Sequence, residues 1–118
     1  MNFISTYSHF GRVGVLIDVK AQNDSFLSNP ALTEGFIELC QDIAMHIAAT
    51  DPTDADELLN QPFFKNPDQS ILELLGEKSE LLNESITISR FIRWVAETSI
   101  TDNDPRHDPA LSMQVKRA

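Results

Sequence analysis

Cys40 is the only thiol in 118 residues, so an internal disulfide framework is impossible and a reducing compartment is the simplest setting. Basic residues are scarce: Lys and Arg total 9 against 18 Asp and Glu, a formal net charge of −9. A nucleic-acid backbone is met by a basic face that releases counterions, so this balance argues against such a partner. No window approaches the ~18 consecutive apolar residues of a membrane-spanning helix. The N-terminus also lacks the basic stretch and apolar run of a signal peptide, so a cytoplasmic protein without membrane contact is expected. What the sequence does hold is 42% apolar residues, with seven Phe, one Tyr and one Trp, enough for one packed domain of this length.

The clearest local signal is a period of two. Val13, Val15, Ile17 and Val19 fall on one face of an extended segment from Arg12 to Lys20, with only Leu16 breaking the alternation. Phe3 to His9 reads as a preceding strand, and Phe10-Gly11 is short enough for a tight hairpin with Gly11 at positive φ. Turn formers fill Ala21 to Ala31, and a helix is expected from Leu32 to Thr50. Its apolar stripe is Leu32, Phe36, Leu39, Cys40, Ile43, Ala44, Ile47 and Ala48. Asp51-Pro52 ends it, because Pro disfavours helical geometry in the preceding residue.

After a short helical turn near Ala55–Leu59, Gln61 to Asp68 is extended between prolines. Ser70 and Glu73 then form a capping-box pattern, opening a helix that carries Ile71, Leu74, Leu75, Leu81 and Leu82 to near Asn83. A last strand spans Ser85 to Glu97. Strict alternation places Ile86, Ile88, Ile92 and Trp94 on one face with Arg90, and Phe91 and Val95 on the other, as in a strand covered on both sides or one whose second face meets a partner. The expected fold class is α+β: a three-stranded, largely antiparallel sheet with helices packed on one face. The domain is expected over 1–99, with a mobile C-terminal tail over 100–118.

No arrangement of nucleophile, base and orienting group signals covalent catalysis. The three histidines share no spacing with Cys40, which sits in the helix stripe as a core thiol. Paired-His and CxxC metal motifs are missing, and the acidic run Asp51, Asp54, Asp56 and Glu57 lacks the glycine and closing glutamate of a calcium loop. No cofactor or metal is expected. His46 reads as a packed structural histidine. Met45, on the far side of the same helix, reads as an exposed apolar residue that becomes a contact beside a partner surface.

Several stretches, in this order, resemble bacterial elongation factor Ts, in its dimerisation domain. They are Tyr7-Ser8-His9-Phe10-Gly11-Arg12-Val13-Gly14-Val15-Leu16, then Asp42-Ile43-Ala44-Met45-His46-Ile47-Ala48-Ala49 with Pro52 after it. Gln61-Pro62-Phe63, the double leucine Leu74-Leu75 and Arg90-Phe91-Ile92-Arg93 follow. The resemblance covers roughly residues 4–97 and implies that domain's fold. It also implies binding to elongation factor Tu or a related GTPase, and release of GDP by disturbing the magnesium and phosphate site.

The family's Thr-Asp-Phe-Val motif falls on Asn23-Asp24-Ser25-Phe26, its Tyr-x-His on His9, and its Gly-Glu-Asn-Ile turn within Leu82-Asn83-Glu84-Ser85-Ile86. The resemblance therefore implies partner contacts at His9, Asp24, Phe26, Leu82 and Asn83, to which the helix reading adds Met45. Ser25 separates Asp24 from Phe26, and Asn83 stands where the family has glycine. The sequence starts at the first strand, so it reads as a single-module relative shortened at its N-terminus. Two functions follow: a GTPase-binding exchange factor without covalent chemistry, or a fold-retaining module without exchange activity that works by self-association, for which a homodimer is expected, or by binding another partner.

Overall fold

The computed structural model describes residues 1–97, so the expected tail over 100–118 lies outside the described residues. Strand β1 (Asn2–His9) and strand β2 (Val13–Ala21) pair antiparallel from Asn2↔Lys20 to His9↔Val13. The Arg12 N–H donates to the His9 carbonyl at 2.9 Å and closes the connection. Both central residues have positive φ, 54° at Phe10 and 69° at Gly11, the pattern of a hairpin turn whose twist matches its strands. Gly11 adopts this without penalty. Phe10 does so against its own Cβ, at a cost of roughly 1–2 kcal/mol.

Beyond β2, the turn formers make a short 3-10 turn over Ser25–Ser28. Helix α1 (Pro30–Thr50) starts two residues earlier than its apolar stripe suggested. Asn29 caps it by accepting from the Ala31 and Leu32 N–H groups, and Pro30 fits the first turn because the N–H it lacks has no partner there. Helix α2 (Ala55–Asn60) follows, then a small ribbon of β3 (Pro62–Phe63) and β4 (Asn66–Ser70). Helix α3 (Ile71–Leu82) opens with the expected capping box, Ser70 and Glu73 each serving the other's backbone N–H. It buries Ile71, Leu74, Leu75 and Leu82. Leu81, expected in the stripe, is 62% exposed. Strand β5 (Ile86–Val95) completes an antiparallel sheet of order β1-β2-β5.

The core lies between the inner face of this sheet and the helices. Val15, Ile17, Val19 and Ala21 of β2 meet Phe36, Leu39, Cys40, Ile43 and Ile47 of α1. Burial pushes the Cys40 thiol up to about 12, which keeps it protonated and unreactive. Arg93 ties β5 to the end of α1, donating from Nε and Nη2 to the Ala48 carbonyl at 3.2 and 3.0 Å and pairing with Asp51 at 3.5 Å.

Strand β5 departs from strict alternation. Asp18 pairs with Arg90 and Val19 with Ile88, so Ser89 is an extra residue, a bulge that reverses the facing of everything after it. Ile86 and Ile88 therefore face the core together with Phe91, while Arg90, Ile92 and Trp94 stand on the open side of the sheet. The expectation that Ile86, Ile88, Ile92 and Trp94 share a face fails at this one inserted residue. Asp18, opposite the bulge, is buried. It accepts from Asn2 Nδ2 at 3.0 Å and from Arg90 Nε at 3.2 Å, so its carboxylate is partnered on both oxygens.

Candidate functional site

The expected contact residues lie at two ends of the sheet. The loop after β2 carries Asp24, and the turn between α3 and β5 carries Asn83. Glu84 joins the two: its Oε1 accepts from the Asn23 N–H at 2.9 Å and its Oε2 from the Ser25 hydroxyl at 3.3 Å. Gln22 N–H donates to the Ser85 carbonyl at 3.2 Å and adds a backbone link between the same segments. Asn83 ends α3 in the left-handed region, φ 53°, a conformation asparagine tolerates better than most residues. Both Asp24 and Asn83 are exposed on this paired edge, and the Asp24 side chain makes no capping bond to the 3-10 turn it precedes.

Phe26 and Leu82 do not belong to that edge. Phe26 is 3% exposed, its ring centroid 5.0 Å from that of Phe36, and Leu82 is buried in the same core. The 3-10 turn rotates Phe26 inward, where its apolar area is better placed than in water. What remains at the surface beside Asp24 is Ser25 and the half-exposed Leu27, so the edge is polar and short. Glu84 organises this edge, and no local pattern in the Asn83-Glu84-Ser85-Ile86 turn signals it, because its partner Asn23 lies 61 positions away.

His9 stands at the opposite end of β2, nine residues of extended chain from the Asp24 loop, or about 30 Å. The structure brings it together with Met45: both line a cleft of about 200 Å³ with Tyr7 and Phe64. Met45 is half-buried, not exposed as its helical position suggested. The Tyr7 hydroxyl is hydrogen-bonded to His9 Nδ1 at 2.9 Å.

The next residue of α1, His46, is fully buried. Its Nδ1 accepts from the Phe64 N–H at 3.3 Å and its Nε2 donates to Gln61 Oε1 at 2.8 Å, which assigns the neutral tautomer protonated on Nε2. Burial lowers its pKa from the ordinary 6.5, and the Gln61 bond acts the other way. Because the folded form resists the proton, this histidine's contribution is intact above pH 6.5. It is lost as pH falls from 6.5 towards the lowered folded value, where the unfolded chain alone takes up the proton. Melting curves collected downward from neutral pH should show Tm falling in that window, and His46→Asn should flatten the fall.

No group of three or more His, Cys, Asp or Glu among the described residues is placed to hold a metal ion. No helix among them is long and apolar enough to cross a membrane.

The sequence that folds this way is similar to a known family. The profile described as Elongation factor TS matches residues 1–57. Elongation factor Ts of Rubrobacter xylanophilus is 30% identical over 137 residues, covering 77% of this chain and 68% of that protein. The chain belongs to the elongation factor Ts family. Elongation factor Ts of Alkaliphilus metalliredigens is 27% identical, covering 97% of this chain and 72% of the relative, and that of Acetivibrio thermocellus is 29% identical, covering 77% and 62%. The Alkaliphilus alignment runs over 159 residues against a chain of 118, so that relative carries segments with no counterpart here.

Proposed function

We propose that this chain binds elongation factor Tu, or a closely related GTPase, and promotes GDP release by pressing the Asp24 edge against the magnesium and phosphate site. The observation that carries the reading is the pairing of two loops through one buried glutamate, in a member of this family. Glu84 holds Asn23 and Ser25, the residues on either side of Asp24, against the Asn83 turn, so the exposed carboxylate stands between two anchored neighbours. A fixed negative group beside a bound cation and phosphates competes for the cation and repels the nucleotide, and no covalent step is needed. Met45 and His9, together at the far end of β2, act as supporting contacts.

A second reading, self-association, has its own observation. The open face of the sheet presents Ile4, Leu16, Ile92 and Trp94 around the Asp18–Arg90 pair, with no helix over it among the described residues. Such a face is suited to a second copy related by a two-fold axis. The two readings are compatible, and one experiment separates them. Elongation factor Tu loaded with fluorescent GDP is mixed with the full chain, and release is followed by stopped flow. The exchange reading expects acceleration. Asp24→Ala should reduce it about tenfold, as for one lost charged contact, with an unchanged melt. No acceleration by a chain that sediments as a dimer would leave only the self-association reading.

A further inference from the structure

We propose that Phe10, at the tip of the β1–β2 hairpin, is an anchor that inserts into an apolar socket flanked by carboxylates on the GTPase partner; this rests on the exchange-factor reading above. Phe10 is 77% exposed, more than any other large apolar side chain described, and its φ of 54° is one that L residues with a large side chain avoid. A residue that contributes nothing to the core and strains its own turn is not explained by folding. Asn or Gly is the favoured residue at this turn position. Strain retained at an exposed aromatic points to a contact outside the chain.

The surroundings specify that contact. The His9 ring lies 4.4 Å from the Phe10 ring, centroid to centroid, and His9 is itself held by Tyr7, so the aromatic tip has a supported base. Gly14↔Trp94 and Val13↔Val95 pairing brings two more exposed apolar side chains to the same end of the sheet. Arg12 follows the turn and is exposed, and among the described residues no carboxylate lies within salt-bridge distance of it. On a chain of net charge −9, this end combines an aromatic anchor with an unneutralised guanidinium. The complementary surface is an apolar pocket with acidic residues at its rim, reached by the partner away from the Asp24 edge.

The test uses the full chain and elongation factor Tu bound to GDP, with affinity measured by titration calorimetry. Phe10→Asn should weaken binding about tenfold or more, as for a buried aromatic anchor, while raising Tm by about 4 °C because the turn is relieved. Phe10→Tyr, which keeps the ring, should bind as the wild type does. Arg12→Glu should weaken binding further at low salt than at high salt. Wild-type affinity in Phe10→Asn overturns the assignment of Phe10 and leaves the exchange reading standing. A lowered Tm in that variant makes Phe10 a structural residue and also overturns it. Failure of the wild-type chain to bind at all overturns both.

Discussion

Phe26→Ala is expected to lower the stability of the domain by about 3–5 kcal/mol, the range for deleting a buried phenylalanine from a packed core. Phe26 touches the ring of Phe36, which in turn meets the edge of Phe3 at 5.5 Å, so the deletion opens a void between β1, the 3-10 turn and α1. Three elements meet there, and a close-packed interior refills such a space only in part. For a domain of about 100 residues, whose total stability is about 5–15 kcal/mol, this is a large share and corresponds to a fall in Tm of about 12 °C or more. Circular dichroism melts measure it directly. A surface phenylalanine behaves differently, since its removal leaves Tm nearly unchanged and acts on partner binding alone. The ratio of the two effects therefore reports where the ring sits. An unchanged melt accompanied by lost exchange would put Phe26 back on the working edge.

The placement of Phe26 shows where sequence pattern stops being informative. The hairpin was readable because β-branched residues alternate over seven positions from Val13 to Val19, and one buried face enforces that spacing. The start of α3 was readable because Ser70 and Glu73 satisfy each other's backbone within four residues. Helix α1 declared its inner face through Phe36, Cys40, Ile43 and Ile47, and the core agrees. These are local or single-period signals. The facing of Phe26 depends on a 3-10 turn in a segment rich in turn formers, where no period exists to be read.

The bulge at Ser89 is set by how β5 meets β2 at the Asp18–Arg90 pair, and its effect on Ile92 and Trp94 is invisible to alternation counted within one strand. The separation of His9 from Asp24 follows once β2 is known to run straight between them. Motif matching groups residues by function and gives no distance, so nothing in it separates the two ends. The coupling through Glu84 spans 61 positions and needs the whole sheet in place before the glutamate can reach.

Removing that coupling is expected to affect function about as much as removing Asp24 itself. Glu84→Ala withdraws both acceptors from the Asn23 N–H and the Ser25 hydroxyl, leaving a part-buried backbone donor unsatisfied at a cost of about 1–3 kcal/mol. The fold survives, because Gln22 still bonds to Ser85, and Ser79 Oγ still accepts from the Ile86 N–H at 3.2 Å to hold the end of α3. What is lost is the fixed position of Asp24. A carboxylate that must be ordered on contact brings an entropic cost to each encounter that a preorganised one does not. Accelerated GDP release should therefore fall by up to about the tenfold expected of Asp24→Ala, while Tm falls by only about 4–8 °C per kcal/mol lost. Glu84→Gln keeps one carbonyl acceptor but turns its amide donors towards one of the two donors it used to serve, so it should fall between Ala and the wild type.

The decisive comparison is the double variant. If Glu84 acts by positioning Asp24, then Asp24→Ala in the Glu84→Ala background should add little further loss, a coupling that independent contacts would not show. Full additivity of the two losses would mean that Glu84 contributes stability alone, and that the Asp24 edge works without its support.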